Sequence, residues 1–183
     1  MNKQPERTVH TREDIMDAFC VLYKNNPIEK ITVNQVIDLA GYNRSTFYRY
    51  FDSVYDILDC IEEDLLEKWK KYQDVILGNL SEFATIIADF YRENDKYLSA
   101  LLNSVNSPIY IEKFTHRLQY SLEKLFGLDE KTPEKRYILA FYTAGAFSVI
   151  TSWYKDGKQM EAERMAELIR ETYSDKVFHI LRM

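Results

Sequence analysis

Arg44, Ser45, Thr46, Tyr48 and Arg49 crowd into one short run, NRSTFYRYF, at residues 43–51. These are side chains suited to holding anions and base edges. An arginine guanidinium is a planar fork of donors that pairs with phosphate or with the edge of guanine. Serine and threonine offer hydroxyl or methyl contacts to bases, while tyrosine hydroxyls reach phosphates as positioning contacts. Phe47 and Phe51 recur at i, i+4, so a helix here would bury its phenylalanines and turn the polar groups outward. Tyr50 stands i+3 from Phe47, which suits the core as well as a phosphate.

The residues before this run are those needed to hold it. Thr32 followed by Gln35 is a capping box, so a helix opens at Val33. Val33, Val36, Ile37 and Ala40 then form one apolar stripe. Gly41 stands where that helix must stop, because glycine takes the left-handed backbone of a C-terminal cap without penalty. Asn43 can cap the next helix. Two short helices around a glycine turn over residues 32–51, the second carrying the polar groups, form a helix-turn-helix whose second helix suits a major groove. Thr32 also places the amides of its helix where they can meet a phosphate.

The run AGYNRSTFYRYF, followed by FDSVYDIL, closely resembles the DNA-binding domain of the TetR family of transcriptional regulators. Gly41, Thr46, Phe47, Tyr48, Tyr50 and Phe51 stand where that family has its glycine turn and its aromatic signature. The resemblance covers roughly residues 8–68. It implies a three-helix DNA-binding domain there and an effector-binding, dimerising bundle over residues 69–183. It also implies double-stranded DNA with a palindromic operator, a second copy of the chain and a small-molecule effector as partners. Effector binding would tilt the long fourth helix and move the two reading heads out of step with successive major grooves. The sequence departs from the family at one position: Val54 stands where a phosphate-contacting lysine is common.

Charge and composition bound the reading. The 183 residues carry a net charge of −5, which looks wrong for a DNA binder until it is divided. Residues 1–52 hold seven Lys/Arg against seven Asp/Glu, so the whole acidic excess lies beyond them. A neutral DNA-binding domain must concentrate its basic groups on one face, or its salt dependence will be shallow. With five glycines, four prolines and no alternating β-branched runs, the chain reads as all-α. Cys20 and Cys60 lack metal spacing and read as reduced thiols of a cytoplasmic protein. The polar opening MNKQPERTVH has no apolar stretch of a signal peptide.

About nine helices follow from the punctuation. The first runs from about Arg12 to Lys24, capped by Thr11, with Ile15, Ala18, Phe19 and Leu22 inward. Ile15, Phe19, Leu22, Ile31, Val36, Ile37, Phe47 and Phe51 would share the small core of the first domain. A long helix spans about Val54 to Leu77. Ser81, Asn94 or Asp95, Ser107-Pro108 and Thr132-Pro133 open further helices, and the last begins near Glu161. Tyr137–Tyr154 is apolar on nearly every side. Thr143, Ser148, Thr151 and Ser152 within it, and the lack of any other span, argue against a membrane helix. Ala140, Ala144, Gly145 and Ser148 make a flat strip where another helix can approach. Burying such a helix calls for a homodimer, and the resemblance implies dimerisation through the last two helices, with Met165 and Ile169 at the interface.

No catalytic constellation is present. His10, His116 and His179 lie far apart with no cysteine or carboxylate at metal spacing, and no nucleophile elbow or phosphate loop occurs. Glu62, Glu63 and Asp64 are consecutive and read as a solvated face. No enzyme, metal or cofactor is indicated. For an effector pocket, Trp69, Tyr91, His116, Tyr120 and Tyr142 supply aromatic walls with a polar handle. The reading is a ligand-responsive repressor, with two rivals: an activator controlled by a protein partner, and a helical interaction module that has lost DNA binding.

Overall fold

A computed structural model describes residues 4–78, 83–104, 107–125, 127–128 and 133–172. Among the described residues there are nine α-helices, one 3-10 turn and no strand, so the fold is all-α as expected. The chain divides into two compact units, Met1–Glu67 with Asn94–Ser107, and Lys68–Glu93 with Pro108–Met183.

The first unit opens with α1 (Gln4–Tyr23), a 3-10 turn (Ile28–Lys30), α2 (Val33–Ala40) and α3 (Arg44–Phe47). It then takes in the start of α4 (Val54–Gly78). α1 begins eight residues before the expected Arg12, which leaves Thr11 inside the helix rather than at its cap. Pro5 is the only breaker in that stretch, and proline is tolerated in a first turn, whose amides have no intrahelical partner. α4 starts on Ser53, whose Oγ accepts from the Asp56 amide at 3.2 Å, while Asp56 Oδ2 accepts from the Asp52 amide at 2.9 Å.

The core of this unit gathers Ile15, Phe19, Val36, Ile37, Phe47, Phe51, Ile57, Ile61 and Leu65. Leu22, expected among them, is only half-buried. Of residues 62–64, expected to form a solvated face, Glu63 is exposed and Asp64 half-buried, but Glu62 is only 1% exposed. It lies beside Ile61 and one turn before Leu66, both buried on α4. Asp64 accepts from Arg12 of α1 at 2.8 Å, and the Arg12 guanidinium also lies 5.9 Å over the Phe51 ring. One side chain thereby ties α1, α4 and the end of the helix-turn-helix together.

The helix α6 (Asp95–Leu102) belongs to this first unit, not to the second as its place in the chain suggested. Leu98, Leu101 and Leu102 are buried, and α6 packs on α1, where Lys96 Nζ reaches Asp17 at 2.6 Å.

The second unit holds the rest of α4, α5 (Phe83–Glu93), α7 (Ser107–Leu125), α8 (Pro133–Lys155) and α9 (Ala162–Thr172). α5 packs on α9, with Ile86, Ile87 and Phe90 buried on one and Met165, Ala166 and Ile169 on the other. Arg92 of α5 joins Asp89 and Glu163 at the margin of this contact. Edge-to-face rings run from Trp69 through Phe90 and Tyr91 to Tyr154. α7 turns Phe114 and Leu118 inward, and Gly127 follows at φ 63. The caps expected at Ser81 and Thr132, and the last helix beyond residue 172, lie outside the described residues. Among the described residues no helix is long and apolar enough to cross a membrane.

Candidate nucleic-acid interface

The polar run is positioned by two caps and a turn. In α2 the Thr32 hydroxyl accepts from the Gln35 amide at 3.3 Å, and Gln35 Oε1 accepts from the Thr32 amide at 2.8 Å. At its end Gly41 has φ 76, a left-handed backbone that costs any L side chain roughly 1–2 kcal/mol. Asn43 Oδ1 then accepts both the Thr46 amide at 2.9 Å and the Ser45 hydroxyl at 2.7 Å. That pair of bonds places Oδ1 on the turn, and the residue itself is exposed.

α3 is short, four residues continued by a turn through Tyr50. Phe47 and Phe51 anchor it from below, their rings 5.9 Å apart. Arg44, Ser45, Tyr48 and Arg49 are exposed, Thr46 and Tyr50 half-buried, and the capping residues Thr32 and Asn43 exposed as well. The Arg44 guanidinium lies 5.7 Å from the Tyr48 ring centroid, which limits the conformations of a long side chain before any contact is made. Tyr50 divides itself between core and surface, which answers neither expectation alone.

Two supports were not legible in the sequence. Tyr42 donates its hydroxyl to Asp14 of α1 at 2.7 Å, and this bond raises the Tyr42 pKa above its ordinary value. The Arg12–Asp64 pair is the other, and its bond raises the Arg12 pKa further. Val54, at the position where the family commonly has lysine, is 7% exposed and fills the core below α4's first turn.

In the second unit the five aromatic and histidine candidates for a pocket do not converge. His116 lines an open groove of about 550 Å3 between α7 and α8, with Ile111, Thr115, Phe147, Ser148 and Ser152. Tyr142 lines a separate, mainly apolar groove on α8 with Tyr137 and Phe141. Tyr120 is exposed, because it falls on the side of α7 opposite the Phe114–Leu118 stripe. Trp69 and Tyr91 belong to the aromatic chain of the core, where Trp69 Nε1 is buried without a hydrogen-bond partner. Among the described residues no group of His, Cys, Asp and Glu could hold a metal ion.

Of the expected dimer-interface residues, Ala144, Gly145 and Ser148 are exposed and Ala140 half-exposed. Met165 and Ile169 are placed differently. They are 1% and 4% exposed, inside the protomer against α5, because α9's strongest apolar stripe finds its cover there first.

The fold and this face together define a helix-turn-helix protein with an attached helical bundle. Residues 78–175, more than half of the chain, match a TetR-family model described as the transcriptional regulator C-terminal region. The chain belongs to the TetR family of transcriptional regulators. No curated protein matches it in sequence. Among solved structures it is similar to a TetR transcriptional regulator from Streptococcus agalactiae 2603V, at 22% identity and TM-score 0.60, covering 91% of this chain and 95% of that one. It is similar also to the fatty acid degradation regulator FadR from Bacillus halodurans, at 15% identity and TM-score 0.62, covering 93% and 95%. A third, the dihydroxyacetone kinase operon activator DhaS, has 18% identity and TM-score 0.59, covering 93% and 98%. At these identities the likeness is one of fold.

Proposed function

We propose that this regulator is a cytoplasmic, ligand-responsive repressor that binds a palindromic operator as a homodimer. The observation that carries the reading is the exposed face of Arg44, Ser45, Tyr48 and Arg49, held by the Asn43 cap above a buried Phe47–Phe51 anchor. Arg44 and Arg49 read base edges or phosphate, and Tyr48 and the α2 amides behind Thr32 fix the register. Two such heads on a two-fold axis read an inverted repeat. The effector, a small molecule, acts through the second unit, where the groove at His116 offers apolar walls and polar handles. Because α6 is reached from α5 and left into α7, a change in the second unit enters the first through the chain itself. The expected result of selecting bound duplexes from random DNA is one inverted repeat; recovery of no repeat would favour an interaction module without DNA binding.

A second reading keeps the fold and reverses the sign. DhaS, of like fold over 93% of this chain, is described as an operon activator, and both grooves in the second unit are open rather than enclosed. Under that reading a protein partner, not a small molecule, controls the regulator. Transcription from a reporter carrying the selected operator, with the protein present and absent, gives the sign directly.

A further inference from the structure

A threonine inside a helix can give its proton to the carbonyl one turn back. In the second unit Thr151 of α8 does so, donating to the Phe147 carbonyl at 2.7 Å, and Thr172 of α9 donates to that of Leu168 at 2.8 Å. Thr115 of α7 does not. Its Oγ1 is buried and has no hydrogen-bond partner among the described residues. A buried hydroxyl left in that state is a cost to the folded protein, and a ligand that bonds to it removes the cost.

Thr115 and Thr151 both line the groove of about 550 Å3 between α7 and α8, a volume within the range of small-molecule sites. The rings of Phe114 and Phe147, 5.5 Å apart, set the two helices against each other at this level. Thr115 follows Phe114 and Thr151 lies one turn beyond Phe147, so the two threonines meet the groove from opposite walls within about a turn of each other. They are complementary. Thr115 keeps a proton to donate, whereas Thr151 has given its own away and its oxygen can only accept.

The remaining lining limits what can sit between them. Ile111 and Phe147 make the floor apolar. Of the described residues that line the groove, Glu112, His116 and Lys155 are those able to carry charge, and all three are exposed. An ionised group brought to the floor would lose its water and meet no opposite charge there.

We infer that the groove takes an uncharged, mainly apolar small molecule bearing a hydroxyl, whose oxygen accepts from Thr115 and whose proton goes to Thr151. This rests on the effector reading of the groove and adds the chemical class. An ether or a ketone satisfies Thr115 alone, and a hydrocarbon satisfies neither threonine. A hydroxyl both accepts and donates at one atom. Ala144 and Ser148, also in the lining, belong to the strip expected to meet a second copy; Thr115 does not, which makes it the position to change.

Three bicyclic probes that differ in one group decide the class: 2-naphthol, 2-methoxynaphthalene and 2-naphthoate, titrated calorimetrically into the full-length protein at neutral pH without DNA. Naphthol should bind roughly 2- to 13-fold more tightly than the methyl ether, the factor of one net hydrogen bond, and naphthoate most weakly. Thr115→Val should lower naphthol affinity by a similar factor, and Thr115→Ser should keep it. In the free protein Thr115→Val should leave the urea midpoint at or above wild type, because no bond is lost. A lower midpoint would show the hydroxyl bonded within the protein. Unchanged naphthol affinity in Thr115→Val would put the probe elsewhere, and ether or naphthoate binding as tightly as naphthol would remove the need for a hydroxyl. Each of these overturns the inference, as does an absence of naphthol binding. Failure to recover an operator leaves the titration standing; naphthol bound with the expected Thr115 dependence but without effect on operator affinity overturns the effector reading alone.

Discussion

Replacing Asn43 by alanine tests whether the reading face is held in place before DNA arrives. Its Oδ1 accepts the Thr46 amide at 2.9 Å and the Ser45 hydroxyl at 2.7 Å, and α3 has only four residues to spread the loss over. An N-cap of this type contributes ~1 kcal/mol, within a range of about 0.5–2. The freed amide is exposed and is taken up by water, so no desolvation penalty adds to it. If α3 must be ordered to bind, that loss enters once per half-site, about 2 kcal/mol for a dimer on a palindrome. At 1.4 kcal/mol per tenfold, affinity should fall roughly 30-fold. Asn43→Ser separates this from a direct contact, since serine caps equally well but lacks the amide NH2 that asparagine could offer to DNA. Mobility-shift titrations on the selected operator should show alanine weak and serine near wild type. Equal loss in both variants would refute the positioning role and make Asn43 a DNA contact; no loss in either would refute the need for an ordered α3.

Arg44→Ala or Arg49→Ala should cost ~1–3 kcal/mol on the operator and relax preference at one base pair, measured on matched and mismatched duplexes. Tyr48→Phe should weaken binding to all sequences alike, because a phosphate contact carries no sequence information. Val54→Lys should lower stability by up to roughly 1.5–3 kcal/mol, because a valine 7% exposed loses its burial. If the lysine stem carries its ammonium to the surface, the slope of log K against log salt should steepen by about two per dimer. An unchanged slope would leave Val54 as a packing residue alone. Burial raises the Cys20 thiol from 9.0 to about 12. With the folded value above the unfolded one, its contribution is intact below pH 9 and is lost as pH rises toward 12. Urea midpoints between pH 8 and 11 should therefore fall more steeply in wild type than in Cys20→Ala, and parallel curves would count against the shift.

What the sequence by itself determined is local. The Thr32–Gln35 box, the left-handed Gly41, the Asn43 cap and the Phe47–Phe51 anchor are relations of one to four residues, and helical geometry dictates each wherever the helix lies. The exposed stripe on α8 was likewise visible as small residues at helical spacing. Only the tertiary structure decided which stripe covers which. Tyr42–Asp14, Arg12–Asp64 and Lys96–Asp17 join residues 28, 52 and 79 apart, and nothing in their spacing names the partner. An amphipathic helix records that one side needs cover but not what supplies it. For this reason α6 fell to the first unit, Glu62 to its core, and Met165 and Ile169 to the protomer's own interior. The pocket candidates Trp69, Tyr91, Tyr120 and Tyr142 could not be sorted into core, groove and surface from sequence, because that choice depends on where the chain returns.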